Sequence, residues 1–267
     1  MNRTPCLASI VIIHLLFFGI STFAQAQSDY PNLEGMWSDP PHTIADSQCY
    51  LYCTDAGLSH LEELLDDPAN DDRPLAELTQ AAGRYQREQY FRPRLTAAAL
   101  ENYPRDPADD PAFLRCEPWG FAKEIFSPHQ LEIRQYDDRV EMRYGEWEAR
   151  RTVYLDGRER PEDQVPSTLG WSVGHYEGDT LVVETSSVRR NLTFWGTEHS
   201  DRLTAVERYS RSDDGERLLL SATLDDPWSL SQPVVLKKVW SWAPEQEISA
   251  YDKCELPTEF SRREDRP

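Results

Sequence analysis

The chain has 267 residues, with 47 Asp and Glu against 28 Lys and Arg, a formal net charge of −19, and 39% hydrophobic and 11% aromatic residues. Such an acidic surface repels phosphate backbones, which argues against nucleic acid and anionic membranes as partners. The apolar content is ample for a core and rules out a globally disordered chain.

Residues 1–26 read as an export leader. Arg3 precedes an apolar run from Leu7 to Phe23, and Ala24-Gln25-Ala26 follows, the basic, apolar and small-residue order of a secretory signal. Its removal would take away one arginine and no acid. The expectation is an exported protein, periplasmic or secreted, without membrane insertion, because nothing after residue 27 approaches the roughly 20 apolar residues of a span. Export makes Cys49, Cys53, Cys116 and Cys254 read as two disulfides, with three connectivities open. Pairing Cys49 with Cys53 leaves Cys116 to join Cys254. A zinc site is the rival, but Cys49-x-x-x-Cys53 lacks the C-x-x-C spacing and has no histidine pair nearby.

The rest of the chain divides by pattern. Residues 27–115 read as an entry strand, a helical elaboration and a proline-rich strap, residues 116–255 as a β-barrel domain, and residues 256–267 as a polar tail. In the first part, Gly35-Met36-Trp37 enters and Asp39-Pro40-Pro41 stops the strand. Leu58, Leu61, Leu64 and Leu65 recur at helical spacing, and a second helical pattern runs from Pro74 to Arg92. From His129 the period becomes two. Leu131 and Ile133 alternate with Glu132 and Arg134, Asp137-Asp138 turns the chain, and Val140, Met142 and Tyr144 return. Further strands are expected at 151–155, 180–185, 203–209, 216–224 and 234–242. Turns at Asp156-Gly157, Glu177-Gly178-Asp179 and Asp213-Asp214-Gly215 separate them. The fold class expected is mainly β: an antiparallel meander closing into a barrel, which removes sheet edges, with the helical segment packed on or capping one end.

Leu33-Glu34-Gly35-Met36-Trp37 ahead of a meander resembles the G-x-W entry of lipocalin-like (calycin-type) barrels. The run Gly170-Trp171-Ser172-Val173-Gly174-His175-Tyr176-Glu177-Gly178-Asp179-Thr180-Leu181-Val182-Val183 is similar to one in a large group of exported bacterial proteins of unassigned function. Tyr154 to Pro161 and Glu198-His199-Ser200 extend the likeness, which covers residues 116 to 255. It implies a shared fold and export, and no particular chemistry. The group often reads G-H-S-x-G-x-W-E-G-D, whereas Trp171 stands here for the His and Tyr176 for the Trp.

No metal-ligand spacing, nucleophile elbow, dinucleotide fingerprint or P-loop is present, so no cofactor is expected. What remains is acid–base chemistry in an apolar cavity. His175, His199 and Asp156 are the catalytic candidates, and Tyr176, Arg158, Tyr144 and Trp195 the substrate-binding ones, with Glu146, Glu177 and Asp179 as further acids of the constellation. His175, Tyr176 and His199 are expected to line one pocket with Asp156 or Glu177. The function expected is a cofactor-independent isomerase, lyase or cyclase acting on a small hydrophobic molecule. The alternative is a carrier that only binds such a molecule, and an exported glycan hydrolase with two facing carboxylates is a third reading. The bland readings are that the turn acids only turn the chain, that His129 is structural, and that Tyr144 and Glu146 belong to core packing. Of Lys237 and Lys238, period two turns one inward, where it would act as a base of lowered pKa or, as expected first, meet a core carboxylate.

Overall fold

The computed structural model describes residues 30–40, 46, 48–106, 110, 112 and 117–248. The expected export leader, the polar tail and the Cys116–Cys254 pairing lie outside these residues. Nine strands close a barrel: β1 (Gly35–Ser38), β2 (Leu131–Gln135), β3 (Arg139–Tyr144), β4 (Arg150–Tyr154), β5 (Trp171–Glu177), β6 (Thr180–Ser186), β9 (Thr204–Arg211), β10 (Arg217–Asp225) and β11 (Val234–Trp242). The ring runs β1-β11-β10-β9-β6-β5-β4-β3-β2 and returns to β1. Two-residue strands β7 (Asn191–Leu192) and β8 (Glu198–His199) pair outside it.

An odd ring of strands cannot alternate in direction all the way round. One parallel pair is therefore obligatory, and it falls between β4 and β5, with Val153 opposite Ser172 and Tyr154 opposite Val173. A parallel neighbour needs a connection that carries the chain back along the barrel, and residues 155–170 provide it. The remaining ladders are antiparallel, as the hairpin turns required. The outer pairings place Trp37 of β1 between Leu131 of β2 and Trp242 of β11.

Period two sets the interior. Val140, Met142 and Tyr144 of β3, Ala205, Glu207 and Tyr209 of β9, and Leu218, Leu220, Ala222 and Leu224 of β10 are all buried, while their neighbours alternate outward. Trp37, Leu131, Ile133, Phe121, Phe126, Val140, Leu181, Val183, Leu218 and Leu224 are 0% exposed. Such residues touch no water-sized void, so at their level the barrel is filled by side chains. The apolar cavity expected there is replaced by core.

The helical elaboration closes one end. Helix α1 (Asp55–Asp66) starts at Thr54, whose hydroxyl accepts from the Gly57 amide, an ordinary N-cap. Helix α2 (Leu75–Tyr85) runs on into a π-helical turn, Gln86–Phe91. Leu61 faces Leu78 and Ala82, giving the pair a small core of its own. Helices α3 (Ala97–Leu100) and α4 (Phe121–Glu124) follow. Phe91 stacks on Trp195 at 5.2 Å between ring centres, with Tyr52 edge-on to both. This aromatic layer, with Phe121 and Phe126, seals the end where β1 leaves and β2, β5 and β9 begin. Tight hairpins at 136–138, 178–179 and 212–216 form the opposite end.

Cys49 and Cys53 form a disulfide, which excludes the zinc reading for that pair. Their segment replaces β1 on β11. β1 last pairs at Ser38 with Ser241, and further along β11 the Lys237 and Cys53 backbones exchange hydrogen bonds of 2.8 and 2.9 Å. Val239 then donates to the Cys49 carbonyl.

Candidate functional site

Inside the barrel sits a buried polar network. The Arg151 guanidinium donates to both carboxylate oxygens of Glu207, at 2.7 and 2.6 Å, and also to the Ser172 and Thr185 hydroxyls. Tyr209 and Thr185 donate to Glu207 as well, at 2.8 and 3.0 Å. Above Arg151 and Ser172 a groove of about 420 Å³ opens along the short β4–β5 seam, walled by Tyr154 and Trp171. Both sides of the ion pair are saturated internally, so the floor of this groove offers a ligand little that is not already bonded.

The capped end is different. Lys238 of β11 shares the inward face with Leu236 and Trp240 and is 1% exposed. Its Nζ donates to the Tyr50 backbone carbonyl and makes no ion pair among the described residues. It lies 4.6 Å from the centre of the Trp240 ring and 5.9 Å from that of Tyr50. Burial pushes its ammonium down to about 7, with Asp39 pulling the other way. Asp39, at the exposed end of β1, is itself pushed up by desolvation against the pull of Lys238 and His129.

His129 connects this group to a second one. Its Nε2 is 2.6 Å from Glu146, which is 4% exposed in its side chain. Glu146 begins a turn in which Trp147 and Glu148 both take left-handed backbone, at φ 49° and 51°. Two consecutive non-glycine residues in that region store strain, which persists only where the surroundings fix it. Behind Glu146 lies Glu124 of α4, 0% exposed, whose two carboxylate oxygens have no hydrogen-bond partner at normal distance. Desolvation and then the nearby Glu146 hold its carboxyl well above the usual range, opposed by the Trp119 backbone. Trp119 flanks His129, with ring centres 6.1 Å apart. Among the described residues no three His, Cys, Asp or Glu side chains converge as a metal set.

The residues singled out by sequence are not brought together. His175 and Tyr176 are consecutive on β5 and so face opposite sides of the sheet. His175 is exposed and pairs with Glu177 at 3.0 Å, and Glu177 pairs with Arg208. Tyr176 turns inward at the hairpin end, accepts from Gln135 at 2.8 Å and stacks on Tyr30. His199 lies near the other end, 2% exposed, its Nδ1 against the Ser200 carbonyl; burial lowers its pKa. Asp156 and Arg158 form an exposed pair on the crossover, and the arginine holds the carboxyl down to about 2. Tyr144 belongs to the buried network, where burial raises its phenol to about 12, and Trp195 to the aromatic cap. The single pocket expected from these residues does not form, because strand alternation and barrel length separate them. Lys238, His129 and Glu146 carry a signal in the sequence, in strand alternation and turn position, whereas Glu124 carries none.

No protein-family model matches the chain, and no curated protein does. Among solved structures, the wild-type fluorescent protein UnaG is similar over 54% of this chain and 99% of its own, at 19% identity and a TM-score of 0.28. A point mutant of UnaG is similar over 55% of this chain at 20% identity and the same TM-score. The strand ladders, not so loose a superposition, define the barrel here.

Proposed function

We propose that this protein binds a small molecule with an apolar body and a polar end, received at the helix-capped end of the barrel. The observation that carries the reading is a pair of buried ionisable groups lacking the partners burial demands. Lys238 uses one of three donors, and Glu124 meets no side-chain donor, with only the Trp119 backbone drawing on it. Leaving such groups unpaired costs about 1–3 kcal/mol each, and folded proteins rarely keep them outside functional sites. Tyr50 and Trp240 stand beside Lys238, and Trp119 beside His129, as apolar neighbours of these groups. Export to an oxidising compartment accompanies this reading, supported by the Cys49–Cys53 disulfide and by the resemblance to exported lipocalin-like proteins.

Acid–base turnover of the bound molecule is a second reading, moved from the residues first suspected to Glu124, Glu146 and His129. Its support is that the Glu124 carboxyl favours its protonated form beside a second carboxyl engaged by an imidazole, an arrangement suited to proton transfer.

Native mass spectrometry of gently purified exported protein tests binding. A retained organic mass is expected, weakened in Glu124→Leu. A bare polypeptide mass, together with no binding across a panel of small aromatic and aliphatic compounds, would sink the proposal. Conversion of the bound compound, abolished in Glu124→Gln, would favour turnover.

A further inference from the structure

We infer that Lys238 is a carbonyl-capturing amine, condensing with the aldehyde or ketone group of a small aromatic or unsaturated ligand at the seam between β1 and β11. The inference rests on the binding reading above and names its ligand class.

The sequence uses lysine sparingly: Lys123, Lys237, Lys238 and Lys253 are its only four, against 24 arginines. Arginine serves wherever a fixed positive charge suffices, because its guanidinium does not release its proton. Of the described lysines, Lys123 is buried but answered by Asp110 at 2.8 Å, and Lys237 lies on the outer face paired with Asp55. Lys238 alone among them is buried without a carboxylate within ion-pair distance. An amine so placed exists substantially as the free base near neutral pH, and the free base is the nucleophile.

Access follows from the strand pairing. The barrel wall changes hands directly over Lys238, where β1 leaves β11 and the Cys49–Cys53 segment takes its place. Among the described residues there, Tyr50 is 39% exposed and its ring centre lies 5.9 Å from Nζ. Among the described residues, the groups around Nζ are Asp39 from the end of β1, Tyr50 from the disulfide loop, and Trp240 on the strand itself. Two aromatic faces suit a conjugated ligand and keep water away from the product.

In the reaction, the Nζ lone pair adds to the carbonyl carbon, the C=O π pair moves to oxygen, and one nitrogen proton passes to that oxygen to give a neutral carbinolamine. Loss of the remaining nitrogen proton together with the hydroxyl, as water, leaves a neutral C=N bond. Asp39, at the rim, is the carboxyl whose charge acts on this amine. No oxidant or reductant is needed, and hydrolysis reverses the step.

The test incubates the disulfide-intact protein with cinnamaldehyde and sodium cyanoborohydride, followed by intact-mass analysis and peptide mapping. Cinnamyl alcohol, binding read by tryptophan quenching, is the non-carbonyl control. One adduct per chain is expected, at Lys238, forming at least about tenfold faster than at Lys237 and about threefold or more faster than at the α-amine. Lys238→Met should lose the adduct. Equal labelling of Lys237, Lys253 and the α-amine, or unchanged trapping in Lys238→Met, overturns the inference. Alcohol binding without an adduct at Lys238 overturns it while the binding reading stands, and failure of both ligands to bind removes both. The wild-type peptide map decides the question even if the variant fails to fold.

Discussion

Single side chains at the capped end are unequally satisfied, and stability measurements register the difference. Lys238 is held at about 7 in the fold, against roughly 10.4 in an unfolded chain. Between those values the unfolded state binds the extra proton, so folding stability from this group rises with pH across about 7 to 10.4 and is missing below 7. Wild type minus Lys238→Met, compared by urea unfolding at pH 6.5 and 9.5, should show a gain at the higher pH; an identical pH dependence in the two proteins would refute this. Glu124→Leu should stabilise by about 1–3 kcal/mol, because it removes a buried carboxyl without a partner, and a fall in Tm would count against that. Arg151 and Glu207 should behave oppositely. Either Arg151→Met or Glu207→Leu alone should cost about 3–5 kcal/mol, and the double variant should recover much of it; simple additivity would show that the pair is not coupled. The sequence made part of this visible. Period two turned Lys238 inward, yet the carboxylate expected to meet it is absent, because β1 ends before reaching that level. Glu124 was illegible, since its burial depends on where a one-turn helix docks.

At the scale of elements, local signals served well and non-local ones poorly. The β2–β3, β5–β6 and β9–β10 hairpins were legible because Asp137-Asp138, Gly178 and Gly215 carry turn chemistry; Gly178 and Gly215 take φ of 56° and 75°, which suits glycine. The strand Val234–Trp242 falls at its expected bounds. The parallel β4–β5 pair was not legible, because only ring closure by nine strands demands it and no local pattern encodes that count. Pairing of the Cys49–Cys53 segment with β11 was equally hidden, since it depends on where β1 departs. That segment makes a separable prediction. A disulfide closing so short a loop contributes about 2 kcal/mol in the chain-entropy model. Reduction should therefore leave the barrel folded while speeding hydrogen exchange at the Cys53 and Lys237 amides, whose bonds join the two segments. Exchange at Leu181 and Val153, in the far wall, should stay slow. Uniform acceleration across the barrel would mean that the loop and the wall open as one unit.

For the whole molecule, charge acts over distances that contacts do not reach. The formal net charge of −19 is spread over a surface that also carries short-range pairs such as Arg134–Glu132, Arg143–Glu148 and Arg208–Glu177. Salt weakens both the repulsion and the pairs, so the sign of its effect depends on which is larger. Exposed pairs contribute about 0–1 kcal/mol each, and several here share one carboxylate, which limits their sum. The excess of acid has no local partner, and at about 10 mM salt the screening length of roughly 30 Å is comparable to the molecule itself. Repulsion then acts between all its faces and favours the expanded chain. Tm should therefore rise by several degrees between low salt and about 0.5 M sodium chloride at pH 7. The rise should shrink as the pH is lowered and carboxylates take up protons. A Tm that falls with added salt at pH 7 would show that the arginine–carboxylate pairs outweigh the net charge, and that this surface is held together by its local pairing.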